Sequence, residues 1–297
     1  SSFILNWKWR QRKFNTQRKH ANNIVKFLNY LLHQKKPHIK NLSDLDIVIG
    51  TEYLNSLTND YKKRGTIIDA GRSLTAFYIW LSENNCLPNV DRNYIESVKK
   101  KNVHNNTVYY ESLFHPILPQ HTKSNRKHLL PVKYIPFLLE VCELVARPIA
   151  FGVYLQIFGG LRAGEIVNLK RTYFKKDLTG TNFLLDIKNQ QFRTDVRDSS
   201  GTNYVKKRRK QQVLQIKDWG STMFKEHVEI YKKKDVENTG ALFINRDGKP
   251  MTGQSYSQYF YKVKNKFIEF LNEHGSVEDK VIAADLRVTD WGTHIGR

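Results

Sequence analysis

Cysteine is almost missing from this 297-residue sequence: only Cys86 and Cys142 occur, in separate helical contexts. That excludes a disulfide framework and a thiolate zinc site. The profile fits an intracellular, reducing compartment. Long apolar runs are missing too. The longest, Ile149 to Phe158, contains Gly152 and Gln156 and is too short to span a bilayer, so no membrane partner is expected. No secretory leader is recognisable, because Ser1 to Arg12 are polar, aromatic and basic. There is no GxxxxGK phosphate loop, no HExxH and no acidic cluster at magnesium-binding spacing. This disfavours nucleases and transposases that use two metals, and no cofactor is expected. Acidic residues are themselves scarce: 28 Asp and Glu stand against 49 Lys and Arg, a formal charge of +21. Such self-repulsion is tolerated more easily when the partner is a polyanion. A cytoplasmic, nucleoid-associated location follows from these readings.

What remains is enough to fold. Apolar residues make up 40% and aromatics 12%, and the length suits two domains. Ile24, Phe27, Leu28, Leu31 and Leu32 recur at helical spacing among basic residues, which predicts an amphipathic helix from Thr16 to Gln34. Further helices are expected over Gly50 to Tyr61, Thr66 to Ser82 and Tyr94 to Leu113. Residues 1–120 thus read as a basic helical domain. Prolines at 116, 119 and 131 disfavour a continuous helix, and residues 121–130 read as a linker. Residues 131–297 form the second domain. Helices are expected over Val132 to Val145 and, apolar almost all round, Pro148 to Phe158. Gly159-Gly160 breaks the second, and another starts near Arg162. Phe183 to Ile187 and Gln212 to Ile216 read as two strands of a hairpin with a long polar tip. Helices return over Met223 to Lys234 and Gln254 to Leu271. The fold class is mainly α with a small β-sheet or hairpin in the second domain.

Three constellations could carry chemistry. In Gly159-Gly160-Leu161-Arg162-Ala163-Gly164-Glu165, the glycines deliver Arg162 to a first helical turn, and Glu165 lies three residues on. A guanidinium there can clamp a phosphate in bidentate fashion while the carboxylate holds it; a surface Arg–Glu pair would look the same. The run Lys206-Lys207-Arg208-Arg209-Lys210 ends the hairpin tip. On a two-stranded ribbon it can enter a groove and reach the DNA backbone, and one lysine can act as a general acid; a solvated charge run is the alternative. His294 and Arg297 share one helical face, with proton exchange available to one and a second phosphate clamp to the other. Aromatics interleave with basic residues at Trp7 to Arg10 and Tyr256 to Lys264, either to stack on nucleic acid or to pack a core.

The order G-L-R-x-x-E, lysine-bearing hairpin, H-x-x-R resembles the tyrosine recombinases, or phage-type integrases. The second domain carries most of the resemblance, from Arg126 to Arg297, together with Leu242 to Pro250. In the first domain it rests on Arg72 to Leu81 and Pro88-Asn89. The resemblance implies a helical core-binding domain followed by an α+β catalytic domain. It implies a site-specific recombinase or integrase of a mobile element, joining DNA through a 3′-phosphotyrosyl intermediate and working as a tetramer on paired sites. It makes Arg162, Lys206, His294 and Arg297 catalytic, with Lys207 as second choice for the lysine and Glu165 supporting. Lys207, Arg208, Arg209 and Lys210 then face DNA. The segment Gln190 to Tyr204 lengthens the hairpin beyond compact members of that family. The sequence opens at Ser1 and closes at Arg297, and it reads as a fragment. The family's tyrosine lies beyond its H-x-x-R box, and none of the 15 tyrosines occupies that place. The chain alone is therefore expected to bind DNA without forming a covalent adduct. The alternative is a non-catalytic DNA-binding protein, a degenerate recombinase or a regulator, on the same scaffold.

Overall fold

Contacts divide the chain into two units, Ser1–Ser124 and Asn125–Arg297. The structure, a computed structural model, describes residues 3–4, 12, 14–33, 39–103, 106–120, 130–176, 181–196, 198, 201–289 and 291–292.

The first unit is built on three helices. In α1 (Phe14–His33), Ile24 and Phe27 point inward, and the Phe27 ring lies 5.2 Å from that of Tyr53. Asp46 starts α2 (Ile47–Asn59) by accepting the Ile49 N–H at 2.8 Å. Removing such a cap costs about 1 kcal/mol. The spine is α3 (Arg64–Glu83), where Ile67, Ala70, Leu74, Phe77, Tyr78 and Leu81 are buried at three- and four-residue spacing. The helix expected over Tyr94 to Leu113 is a correction. Helix survives only in α4 (Arg92–Ser97), and the chain then forms an antiparallel ribbon of β1 (Lys99–Lys101) and β2 (Val108–Tyr110). The cause is local: three adjacent lysines offer no apolar stripe, and Val-Tyr-Tyr favours a strand. The Asn102 N–H donates to Thr107 O at 2.9 Å and closes the ribbon.

The second unit wraps a central helix, α5 (Ile135–Gly159), which is buried on every side from Ile149 to Gln156 and exposes Glu140, Leu144 and Arg147 in its first half. The two helices expected here are one element kinked at Ala146, where φ is −150° and ψ is 45°. Pro148 lacks an N–H and crowds the carbonyl four residues back, which forces the kink. Against α5 packs α8 (Gly253–His274), with Tyr256, Phe260, Val263, Phe267 and Leu271 buried. The Tyr256 hydroxyl donates to Gln156 Oε1 at 2.7 Å in the interior. Truncating Phe267 to Ala in this layer would cost about 3–5 kcal/mol. A last helix that the sequence motifs do not predict, α9 (Val277–Val288), opens with Ser276 accepting the Asp279 N–H.

A three-stranded antiparallel sheet covers the end of α5 in the order β3 (Phe174–Lys176), β4 (Asn182–Ile187), β5 (Arg209–Leu214). Along β4 every second residue is buried, namely Phe183, Leu185 and Ile187. Val213 of β5 lies against Gly159, where an added Cβ would collide with it at 2.5 Å. The sheet therefore sits beside the turn that carries Arg162. Strand β5 begins at Arg209, earlier than the expected Gln212, so Arg209 and Lys210 belong to the sheet and not to the tip. One further helix, α7 (Trp219–Lys232), follows β5. Among the described residues no helix is long and apolar enough to cross a membrane.

Candidate active site

The turn that presents Arg162 follows from its glycines. Gly160 caps α5 with φ of 62°, left-handed backbone that glycine adopts without a Cβ clash, and its N–H donates to Gln156 O at 3.0 Å. Leu161 is then buried and anchors the reversal. Arg162 stands in extended backbone at the N-cap of a single helical turn, α6 (Ala163–Ile166). Glu165 reaches back from the third position of that turn. Its Oε2 accepts the Arg162 N–H at 2.9 Å, and its Oε1 accepts from Arg162 Nη1 at 3.1 Å.

A second guanidinium meets the same carboxylate. Arg209, at the start of β5, donates from Nη1 to Glu165 Oε1 at 2.6 Å and from Nη2 to Oε2 at 2.9 Å. Its Nε donates to Gln211 Oε1 at 3.0 Å. The Glu165 side chain is only 1% exposed, against 25% for Arg209 and 37% for Arg162. Burial pushes the Glu165 carboxyl up. The Arg209 hydrogen bonds, the Arg162 amide and both positive charges outweigh that, leaving it below the ordinary glutamate value. The cluster carries one net positive charge. Arg162 makes one side-chain hydrogen bond among the described residues, so most of its five donors remain free for an anion.

The long connection between β4 and β5 is fastened to the unit. Asn203 Oδ1 accepts the Gly253 N–H at 2.6 Å, and Arg193 Nη1 donates to Pro250 O at 3.1 Å. Buried Asn168 donates from Nδ2 to Gly164 O and Asn203 O, both at 2.7 Å, and accepts the Gln190 N–H at 2.8 Å. Gly164 is required there: a Cβ would lie 2.6 Å from Thr202 O. A cavity of about 350 Å³ lies under this connection beside Asn168, Asn189, Arg193 and Asn203. The bonds just named, with Asn189 Oδ1 accepting the Val205 N–H at 3.3 Å, already engage those four side chains.

Lys206, Lys207, Arg208 and Lys210 are exposed and make no ion pair among the described residues. Buried Val205 anchors the chain immediately before them. The structure thus separates Arg209 from the other members of the basic run. The sequence holds one signal for this: counting back in twos from buried Val213 puts Gln211 and Arg209 on the inward face. A lysine outside the motifs, Lys188, directly follows β4; it pairs with Asp186 and lies 5.2 Å from the Tyr173 ring centre. His294, Arg297 and the Trp7 to Arg10 run lie outside the described residues. Of the other aromatic–basic run, Tyr256 and Phe260 are core residues, whereas Tyr261 is exposed. Among the described residues no group of three or more His, Cys, Asp or Glu is placed to hold a metal ion.

The turn that carries Arg162 sits between a small antiparallel sheet and a helical layer, and this architecture occurs in known proteins. XerH site-specific recombinase bound to palindromic difH substrate superposes with a TM-score of 0.57 at 17% identity, over 97% of this chain and 68% of that one. The Tn1549 transposon integrase in complex with transposon right end DNA gives 0.62 at 14% identity, over 99% and 82%. The lambda integrase bound to DNA gives 0.53 at 13%, over 88% and 76%. The chain therefore has the tyrosine recombinase fold, mainly helical with small antiparallel sheets. No protein-family model matches the sequence, and no curated protein matches it.

Proposed function

We propose that this chain binds double-stranded DNA and holds a phosphodiester at Arg162, as part of a site-specific recombinase or integrase of a mobile element acting in the cytoplasm. The observation that carries this reading is the half-exposed Arg162 guanidinium, fixed by a buried carboxylate yet with most donors uncommitted. The charge of +21 supports a polyanionic partner. The solved structures that share the fold include recombinases and integrases in complex with DNA.

In the reaction a tyrosine hydroxyl gives up its proton as its oxygen bonds to phosphorus, the bond from phosphorus to the 5′ oxygen breaks, and the departing oxygen takes a proton. Arg162 and Arg297 stabilise charge on the five-coordinate phosphorus, while Lys206 and His294 manage protons. Positioning and fixed positive charge supply the rate. Lys207, Arg208 and Lys210 contact the backbone, the first unit serves as the core-binding domain, and copies assemble as tetramers on paired sites.

The test is DNA binding across a salt series. With ~6–10 phosphates neutralised, affinity should fall roughly 10³–10⁵-fold between 50 and 200 mM salt. Arg162→Ala should leave most of that affinity intact, because many other basic residues share it. Binding that ignores salt, or none at low salt, contradicts the reading.

A further inference from the structure

Glu165 has about four lone-pair directions, and all four are taken: the Arg162 N–H, Arg162 Nη1, Arg209 Nη1 and Arg209 Nη2. The sharing is unequal. Arg209 approaches with both terminal nitrogens at 2.6 and 2.9 Å, whereas Arg162 offers one side-chain nitrogen at 3.1 Å. Arg209 also spends its Nε on Gln211, so every nitrogen of that guanidinium is engaged. The residue at the start of β5 is thus the closed partner of the carboxylate, and Arg162 is the open one.

Resting on the phosphate-binding reading of Arg162, we propose that Arg209 is a positioning residue: it occupies Glu165 and so keeps the Arg162 guanidinium open to a phosphate. A buried carboxylate deprived of Arg209 would have two unsatisfied lone pairs. Such a group draws in the nearest strong donor, and the nearest is Arg162, three residues away in the same turn. The Arg162 guanidinium would then turn both terminal nitrogens onto Glu165 and lose the donors that face solvent. The same link ties the register of the β4–β5 hairpin to the availability of Arg162, because Arg209 is set opposite Ile187 in that register.

The experiment uses the full chain labelled with ¹⁵N-arginine, with the Arg162 and Arg209 signals assigned through Arg162→Lys and Arg209→Lys. Rotation about the Nε–Cζ bond of Arg162 is read first without ligand, then with inorganic phosphate at fixed ionic strength. In the unmodified chain Arg162, held by a single side-chain hydrogen bond, should rotate faster than Arg209, whose terminal nitrogens are both engaged. In Arg209→Met it should be locked, with its terminal NH₂ groups resolved, and phosphate should bind about tenfold more weakly there. Arg209→Met/Glu165→Gln should restore rotation. Arg209→Lys, which keeps the charge but loses the paired donors, should slow rotation partially, and it carries the test if the Met variant does not fold. Unchanged Arg162 rotation in both Arg209→Met and Arg209→Lys would overturn the proposal, since a simple loss of positive field weakens phosphate without locking the group. So would a phosphate-induced shift of Arg209 as large as that of Arg162, which would make Arg209 a ligand. Phosphate that leaves Arg162 unmoved in the unmodified chain defeats the phosphate reading of the site, while the ligand-free rotation still decides the role of Arg209.

Discussion

At Asp235 every group that meets the carboxylate is committed. The Thr239 N–H, the Thr239 hydroxyl and the Gly240 N–H donate at 3.0 Å, and Arg171 Nη2 donates at 2.9 Å. Arg171 also donates from Nη1 to Ala241 O at 2.8 Å and is 15% exposed. Glu165 is equally buried, at 1% exposure of its side chain, but one of its two arginines is left open. Both carboxyls lie below their ordinary values: in each, burial raises the pKa and hydrogen bonds with nearby positive charge more than reverse it. Burial, pairing and perturbed titration therefore do not distinguish a structural ion pair from a functional one here. The uncommitted donors of Arg162 are what sets the proposed phosphate site apart.

That comparison can be broken or sharpened by substitution. The largest effect should come from Asp235→Ala, which strips a buried arginine and two backbone amides of their partner. A loss of about 3–5 kcal/mol is expected in urea unfolding of the second unit, with DNA affinity of the folded protein unchanged. A loss under about 1 kcal/mol would mean that the Asp235 site is not the closed structural clasp described above.

Acid should come next. His227 is buried among Phe151, Tyr231 and Phe243, and its Nε2 donates to Leu242 O at 3.0 Å. Burial, only partly offset by that hydrogen bond, lowers its pKa to about 4. Between pH 6.5 and 4 the unfolded chain takes up a proton that the native imidazole refuses. Stability should therefore fall as pH drops through that window, by up to about 3 kcal/mol. Glu165 and Asp235 act lower. Their contribution is intact above the unfolded carboxyl pKa of about 4 and is lost as pH falls through the depressed folded values. His227→Gln should flatten the upper limb and keep the lower one, as followed by Trp219 and Trp291 fluorescence against pH. A persistent upper limb in that variant would assign it to another group; His20 of the first unit, also lowered to about 4 by burial and by Lys19, is the first to check.

The smallest change in stability belongs to the exposed run. Lys206→Ala/Lys207→Ala/Arg208→Ala should alter folding by no more than about 0.5 kcal/mol. It should reduce the slope of log affinity against log salt by roughly 0.9 for each phosphate contact removed. An unchanged slope would take these residues off the DNA.

Much of this was legible in the sequence. Apolar spacing located α1, α2, α3, α7 and α8, and Gly159-Gly160 marked the turn before Arg162. Two strands were placed within three residues of their ends. The failures have physical causes. Lys99 to Tyr110 is too short and too charged to betray a ribbon by alternation, and its pairing is set by the Asn102–Thr107 closure. In sequence Arg209 is indistinguishable from its basic neighbours, because a charge run looks uniform. Only strand register turns one member inward, and register depends on β4 across the hairpin. The Arg162–Glu165 contact follows from a local turn and was foreseeable, whereas the Arg209–Glu165 contact spans 44 positions and was not.

The most direct test of an open Arg162 is to titrate the ¹⁵N-arginine-labelled chain with a short DNA duplex at constant ionic strength, and to follow the Arg162 and Arg171 side-chain signals together. Arg162 should shift and slow on binding, while Arg171, closed on Asp235 and Ala241, should stay where it is. An Arg162 signal that does not move at saturating DNA, or one that moves no more than Arg171, would contradict the account.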